Sequence, residues 1–238
     1  MTLTTRVLDY IEASKIAQFS RLKTIADTTE NSLRVVINKL VKQGKIYNPV
    51  RGFYVSKHAD PLWVATTIYP GYISLSSAFY LYNLIDEYPF TVFIASEKRK
   101  VVTMGGQEFF YFRAKNYLGI KEDGYKVATA EKAIYDSLLH LDLVGASMLS
   151  KALYYATIDS KTFIAISKKE SNAFFQRIGY LLSILPSLDA EKKKLMLFCM
   201  KRKGTNAYLQ GRKAGHYIKD WKLIDNVGKE VLLAWQQK

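Results

Sequence analysis

The sequence predicts an α+β protein in which an N-terminal winged helix-turn-helix precedes a mixed α/β domain with a small sheet and a largely helical C-terminal part. Three observations predict this class. Between Ser20 and Val55, apolar residues at helical spacing lead into a short hairpin pattern. After Phe90 come β-branched and aromatic runs, and most of the last third has helical periodicity.

The domain boundary is predicted close to Ser56–Asp60, which gives a first domain at residues 1–57 and a second domain at residues 58–238. Asp60 and Pro61 suit the N-cap and the first position of a new helix, so the chain is expected to begin another structural element there.

The N-terminal domain is predicted to contain three helices and a hairpin. A first helix is expected to bury Val7, Leu8 and Ile11; a second, Phe19, Leu22 and Ile25; and a third, Leu33, Val36, Ile37, Leu40 and Val41. Thr28 or Thr29 is expected to cap the third helix, and Gly44 to end it. Lys45–Tyr47 and Phe53–Val55 then form two extended arms around a turn.

The outer side of the third helix carries amide and basic side chains, which can form hydrogen bonds to base edges and phosphates of DNA. Asn31 and Asn38 can pair with adenine edges and Arg34 with guanine, while the lysines suit phosphates. The predicted DNA-binding residues are Asn31, Ser32, Arg34, Val35, Asn38, Lys39, Lys42, Lys45 and Arg51. Winged helices also serve as protein-docking modules, and that alternative stays open.

The second domain is predicted to begin with a helix from Pro61 to about Ile68, a turn at Tyr69-Pro70-Gly71 and a helix from Ser74 that reaches toward Pro89. Strands are expected at Thr91–Ala95, Gln107–Phe112 and Tyr125–Ala128, and a helix capped by Thr129 follows them. Further helices are predicted at about Ser147–Ala156, Ser160–Lys168, Ser171–Leu185 and Leu188–Met200, with a closing strand at Trp221–Val227 and a segment Glu230–Gln236 of either type.

Charge is concentrated at both ends of the chain, whose net charge is +14. Residues 1–57 carry 10 Lys and Arg against 4 Asp and Glu; residues 145–238 carry 17 against 7; and residues 58–144 carry 8 against 10. Basic ends favour a polyanion as partner, because each neutralised phosphate releases counterions. A second nucleic-acid contact or a solubilising surface is therefore expected at Lys192, Lys193, Lys194, Lys201, Arg202, Lys203, Arg212 and Lys213.

Little in the sequence indicates catalysis. Three histidines are widely separated, there is no phosphate-loop motif, and no cofactor or metal is expected. The enzymatic alternative is a metal-dependent, DNA-targeted nuclease using Asp86, Glu97 and Lys98. The single cysteine, Cys199, suits a core position in a reducing compartment. No long apolar run occurs, so we expect a cytoplasmic protein with no membrane partner.

The middle of the chain resembles the AbiEi family of type IV antitoxins and transcriptional regulators. The resemblance extends from about Arg21 to Tyr180, and it is carried by the order of several segments. These are Gly44–Ile46, Arg51–Val55, Tyr72–Tyr82, Val127–Asp136 and Gln176–Leu182.

The resemblance implies an N-terminal winged helix that binds operator DNA, commonly inverted repeats in the protein's own promoter. It also implies a C-terminal domain that is needed to neutralise a nucleotidyltransferase-like toxin. The family's DNA contacts fall on the third helix and the wing, here the region Asn31–Lys45 and Arg51. An autoregulating antitoxin, acting as a repressor, is thus the expected function, with a stand-alone regulator that has no toxin as the variant.

Overall fold

A computed structural model describes residues 1–237 of the chain. The protein is of mixed α/β type with several sheets, as the sequence predicts. Its internal contacts divide it into two compact units. The first unit comprises Met1–Tyr72, Phe90–Arg113 and Asp123–Lys126; the second comprises Ile73–Pro89, Ala114–Glu122 and Val127–Lys238. The domain division at residue 57 stays a prediction, since the packing units follow other bounds.

The first 56 residues form three helices and a three-stranded sheet. The elements are α1 (Leu3–Ser14), β1 (Ile16–Gln18), α2 (Phe19–Ala26), α3 (Glu30–Lys42), β2 (Ile46–Val50) and β3 (Phe53–Ser56). The strands are ordered β1-β3-β2, and both pairings are antiparallel. Strand β1 was not predicted; it is only three residues long and is held in its extended form by pairing with β3.

A six-stranded sheet follows. The elements are α4 (Pro61–Ile68), β4 (Gly71–Ile73), α5 (Leu75–Leu81), β5 (Thr91–Ser96), β6 (Lys100–Met104), β7 (Gln107–Arg113), β8 (Ile120–Asp123) and β9 (Tyr125–Ala128). The strand order is β6-β7-β5-β4-β9-β8. Within the first unit, β5 pairs with β7 in parallel and β6 pairs with β7 antiparallel.

Some of the predicted boundaries in this region were wrong. Gly71 begins a strand instead of ending a turn, and a side chain there is excluded because a β-carbon would lie 2.4 Å from the carbonyl oxygen of Ala95. The helix expected to run toward Pro89 ends at Leu81. Asn83 takes a φ of 55°, and the Leu84 N–H donates to the Phe79 carbonyl at 2.9 Å, a hydrogen bond typical of helix ends.

The remaining chain is largely helical. The elements are α6 (Ala130–Leu139), α7 (Leu141–Val144), α8 (Ala146–Tyr155), α9 (Ser160–Ser167), α10 (Asn172–Ile184), α11 (Ala190–Met200), β10 (Ala207–Tyr208), β11 (His216–Ile218), β12 (Leu223–Asp225) and α12 (Lys229–Leu232), with 3₁₀ turns at Lys219–Trp221 and Ala234–Gln237. The four long helices expected between residues 147 and 200 are confirmed. The small sheet β10-β12-β11 was predicted only in β12, and the segment left as strand or helix is helical.

A buried polar network lies inside the second unit. The Lys132 ammonium, 0% exposed, donates to Asp136 Oδ1 at 2.8 Å, and the Ser74 hydroxyl donates to Asp136 Oδ2 at 2.8 Å. Lys132 Nζ also donates to Asn116 Oδ1 at 3.1 Å. Because ions buried away from water are tolerated only when they are paired and hydrogen-bonded, this network ties α6 to the segments around Ser74 and Asn116.

No helix within residues 1–237 is both long enough and apolar enough to cross a bilayer.

Candidate nucleic-acid interface

The orientation of α3 is fixed by three apolar residues one helical turn apart. Leu33, Ile37 and Leu40 are at most 1% exposed. They belong to a core shared with α1, α2 and the sheet, to which Val7, Ile11, Ala17, Leu22, Ala26, Ile46 and Tyr54 contribute. The predicted buried stripe is therefore confirmed at its centre, with Val36 and Val41 half-buried at its edges.

The opposite side of α3 is polar, basic and open to solvent. We define the α3 face as Asn31, Ser32, Val35, Asn38, Lys39 and Lys42, all of which are exposed. Val35, at 68% exposed, is the one apolar member. An exposed β-branched residue contributes little packing energy to the fold, and its methyl groups are accessible to a partner.

Capping positions the start of this face. Thr29 is the N-cap, and its hydroxyl oxygen accepts the Ser32 N–H at 3.3 Å. The same hydroxyl donates to the Ser32 Oγ at 2.9 Å. The first turn of α3 is therefore held by side chains within this segment, and the prediction that Thr28 or Thr29 caps the helix is confirmed at Thr29.

Arg34 lies at the edge of the α3 face and is already engaged. Its guanidinium donates to Glu30 Oε1 through Nη2 at 2.6 Å and through Nε at 3.2 Å, and it lies 4.6 Å from the centre of the Phe19 ring. The hydrogen bond from Arg34 lowers the pKa of Glu30. The pair with Glu30 was not predicted, although the i, i+4 spacing of the two residues is the sequence signal for it.

The hairpin β2–β3 presents a second basic position beside the same core. The Asn48 amide donates to the carbonyls of Val50 at 2.9 Å and Phe53 at 2.7 Å, which closes the turn around exposed Arg51. The turn is attached to α2, because the Phe19 N–H donates to the carbonyl of Gly52 at 2.9 Å. Gly52 has a φ of +84°, a conformation in which a β-carbon would be strained.

Lys45 is exposed at the start of this hairpin. It lines an open cleft of about 500 Å³ together with Leu8, Glu12 and Lys57. The surroundings of Lys45 differ from those of the α3 face, because the cleft includes the carboxylate of Glu12 on α1.

Lys192, a member of the predicted second basic patch, is buried and engaged inside the second unit. This residue is 5% exposed, its ammonium donates to the Tyr154 carbonyl at 2.7 Å, and it lies 3.2 Å from Asp189 Oδ2. A lysine held in this way cannot contact an external phosphate without losing both partners. On α11, Lys192 faces the interior and the next two lysines face solvent. A run of three identical residues does not indicate which of them is buried.

Other members of that patch are partly committed to internal contacts. Arg202 lies over the Phe175 ring at 4.6 Å and donates to the Glu170 carbonyl at 3.4 Å. Lys194 forms an ion pair with Glu191 at 2.5 Å, and Lys203 donates to the Asp220 carbonyl at 2.8 Å. The remaining members, Lys193, Lys201, Arg212 and Lys213, are exposed.

The residues considered for a nuclease have other surroundings. The carboxylate of Asp86 accepts from Lys151 Nζ at 2.6 Å. Glu97 and Lys98 line an open cleft of about 220 Å³ with Tyr69, Pro70 and Ser96. Within residues 1–237, no three His, Cys, Asp or Glu residues are grouped so that they could hold a metal ion.

Neither a scan against protein-family models nor a search of curated proteins finds a match to this chain.

Proposed function

We propose that the protein is a sequence-specific DNA-binding transcriptional regulator and that its first 57 residues act as a winged helix-turn-helix. The single observation that carries this proposal is the α3 face. Three core residues fix the helix so that amide, lysine and valine side chains are exposed together, within a segment whose net charge is +6.

In this proposal α3 enters the major groove, which is ~12 Å wide and admits one helix. Asn31 and Asn38 pair with adenine edges, and Val35 contacts a thymine methyl group. Lys39 and Lys42 contact phosphates, which set the position of the helix without reading the sequence. This arrangement gives the exposed valine a partner that the fold itself does not supply.

The hairpin turn is proposed to contact the DNA backbone through Arg51. Its side chain is exposed, and the Asn48 and Phe19 hydrogen bonds hold the turn that carries it. Lys45 is proposed to contact phosphate as well. Arg34 is proposed to exchange Glu30 for a guanine edge, which would leave the Glu30 carboxylate close to the DNA phosphates.

The proposal is tested by measuring binding to the DNA upstream of the gene and to random DNA of equal length across a series of salt concentrations. Asn38→Ala is expected to reduce the preference for the cognate site by ~1–3 kcal/mol. Lys42→Ala is expected to weaken binding to both DNAs alike and to reduce the salt slope by about 1. Equal losses on both DNAs for Asn38→Ala would contradict its role in base reading.

Absence of binding to any DNA at low salt would instead favour a protein-docking role for this segment, since phosphate contacts alone produce measurable affinity under those conditions.

The resemblance to the AbiEi family extends the proposal to regulation and a partner. We propose that the operator consists of inverted repeats in the protein's own promoter and that the second domain neutralises a nucleotidyltransferase-like toxin in the cytoplasm. No covalent chemistry, metal or cofactor is needed for either task. The test is co-expression with a nucleotidyltransferase encoded by the adjacent gene. Growth arrest by that enzyme that this protein does not relieve would remove the antitoxin function and leave a stand-alone regulator.

A further inference from the structure

An arginine without a carboxylate partner lies in a small cleft of the second unit. Arg177 is on α10 and half-buried, and its Nε donates to the Tyr208 carbonyl at 2.8 Å. Among residues 1–237, no carboxylate oxygen lies within 4.0 Å of its guanidinium. Its two terminal nitrogens have no hydrogen-bond partner within those residues.

The sequence around Arg177 makes this lack of a partner informative. Three neighbours of Arg177 on α10, Gln176, Gly179 and Tyr180, contact the C-terminal part of the chain. Gln176 Nε2 donates to the carbonyls of Trp221 and Lys222, both at 2.9 Å. Gly179 makes room for Trp221, because a β-carbon there would lie 2.1 Å from the indole ring. The Tyr180 hydroxyl donates to Asp225 at 2.5 Å. Arg177 differs from these three neighbours, because its terminal nitrogens donate to no group within residues 1–237.

The cleft has a volume of about 190 Å³. Its walls combine apolar and polar groups, from Leu138, Leu139, Leu141, Asp142, Arg177, Leu209, Gln210 and Gly211. Asp142 and Gly211 are exposed, so the cleft opens to solvent. Sites for drug-sized ligands occupy roughly 300–1,000 Å³, which makes this one suitable for a smaller molecule.

A half-buried guanidinium that no anion contacts is energetically unfavourable, because burial removes water from the charge and Asp142, in the same cleft, lies beyond ion-pair distance. Burial accordingly lowers the pKa of Arg177. Guanidinium groups match carboxylate and phosphate oxygens in geometry, and such charge-assisted hydrogen bonds are the stronger kind.

We propose that this cleft is a binding site for a compact oxyanion, either a phosphate group or a carboxylate, with the terminal nitrogens of Arg177 as its donors. Asp142 opposes the anion by charge. The side chain of Gln210 is the other polar wall, and its Nε2 donates only weakly to the Leu141 carbonyl, at 3.4 Å.

The experiment is thermal unfolding of the full chain titrated with inorganic phosphate, sulfate or acetate at constant ionic strength, up to about 50 mM. A ligand that binds the folded state raises the melting temperature in a saturable manner. Response to phosphate and sulfate alone assigns a tetrahedral oxyanion, and response to acetate alone assigns a carboxylate. Absence of a saturable response to all three would overturn the proposal.

Two variants locate the effect. Arg177→Gln is expected to weaken anion binding at least about tenfold, because it removes the charged donor group. Arg202→Gln is the matched control, since Arg202 is half-buried in the same unit but stacked on Phe175, and it should respond like the parent protein. An unchanged response in Arg177→Gln would place the bound anion elsewhere and overturn the assignment.

Gln210→Glu keeps the test decisive if Arg177→Gln fails to fold. Arg177 and residue 210 line the same cleft, so a carboxylate at position 210 would take the place of the bound anion beside the guanidinium. We expect a higher melting temperature without added anion and loss of the response to phosphate. A Gln210→Glu protein that still responds to phosphate as the parent does would contradict the proposed site.

Discussion

Two lysines of α3 and two lysines of the second unit have the same chemistry but opposite environments. Lys39 and Lys42 on α3 are exposed, whereas Lys132 and Lys192 in the second unit are 0% and 5% exposed. A count of positive charge treats the two regions alike. A lysine is available to a polyanion only when it has no internal partner, and the packing of the chain decides whether it has one.

The physical reason for the difference is the set of carboxylates and carbonyls that each region offers. Lys132 faces Asp136 across one helical turn, while Lys39 and Lys42 face solvent. Burial lowers the pKa of Lys132, and the Asp136 carboxylate opposes that shift. The buried cations therefore stabilise the second unit only together with their partners.

Removing the partner of a buried cation should produce the largest effect. Asp136→Ala leaves the Lys132 ammonium without its counterion, and we expect a loss of ~3–5 kcal/mol in the free energy of unfolding. The measurement is urea unfolding of purified protein. Ser74→Ala, which removes only a hydroxyl donor to the same carboxylate, is the control and should cost about 1 kcal/mol. Similar losses for the two variants would show that the ion pair does not dominate.

A smaller effect should separate two adjacent lysines of α11. Lys192→Ala removes the hydrogen bond to the Tyr154 carbonyl and the contact with Asp189, and is expected to cost ~1–3 kcal/mol. Lys193→Ala, exposed at the next position, should change stability by less than about 0.5 kcal/mol. The same urea series measures both. A larger loss of stability for Lys193→Ala than for Lys192→Ala would contradict the assignment of Lys192 as the buried, stabilising lysine.

The N-terminal cations can be made more available by removing one acidic residue. Glu30→Gln frees Arg34 from its ion pair and removes a negative charge beside the α3 face. Affinity for cognate and random DNA is expected to rise by about threefold at low salt, less at high salt. The affinity for each DNA is measured by fluorescence anisotropy of labelled DNA.

The control is Asp9→Asn, an exposed acid on α1. An equal rise in that variant would attribute the gain to net charge and not to the release of Arg34.

The smallest effect concerns acid stability at an exposed ion pair. Hydrogen bonds from Lys194 and Ser160 lower the pKa of Glu191 to about 2 from an ordinary 4.5. The stabilisation is therefore present above pH 4.5 and is lost as the pH falls from 4.5 toward 2. The stability difference between parent and Glu191→Gln should shrink over that interval in urea unfolding. A difference that stays constant with pH would contradict the assignment.

Local periodicity was sufficient for the elements whose burial depends on their own sequence. The stripe of Leu33, Ile37 and Leu40 predicted both the core side and the solvent side of α3. Asp60, Thr29 and Thr129 were predicted as caps because capping is a local interaction between a side chain and an N–H two or three residues away.

Elements whose existence depends on a distant partner were missed. Strand β1 is three residues long and is formed by pairing with β3, so it carries no local pattern strong enough to identify it. Strand β6 pairs with β7, although its β-branched residues Val101–Thr103 are themselves typical of a strand. The strand that begins at Lys100 was not predicted.

The sequence by itself determined the mixed α/β class, the direction in which α3 presents its polar residues and the concentration of charge at the ends of the chain. Only the tertiary structure decided which cations are held inside and which are exposed. It joined Lys192 to Tyr154 across 38 residues, and left the Arg177 guanidinium with no carboxylate oxygen of the described residues within 4.0 Å. The reason is that helical spacing is a property of neighbouring residues, whereas a counterion can come from any part of the chain that folding brings near.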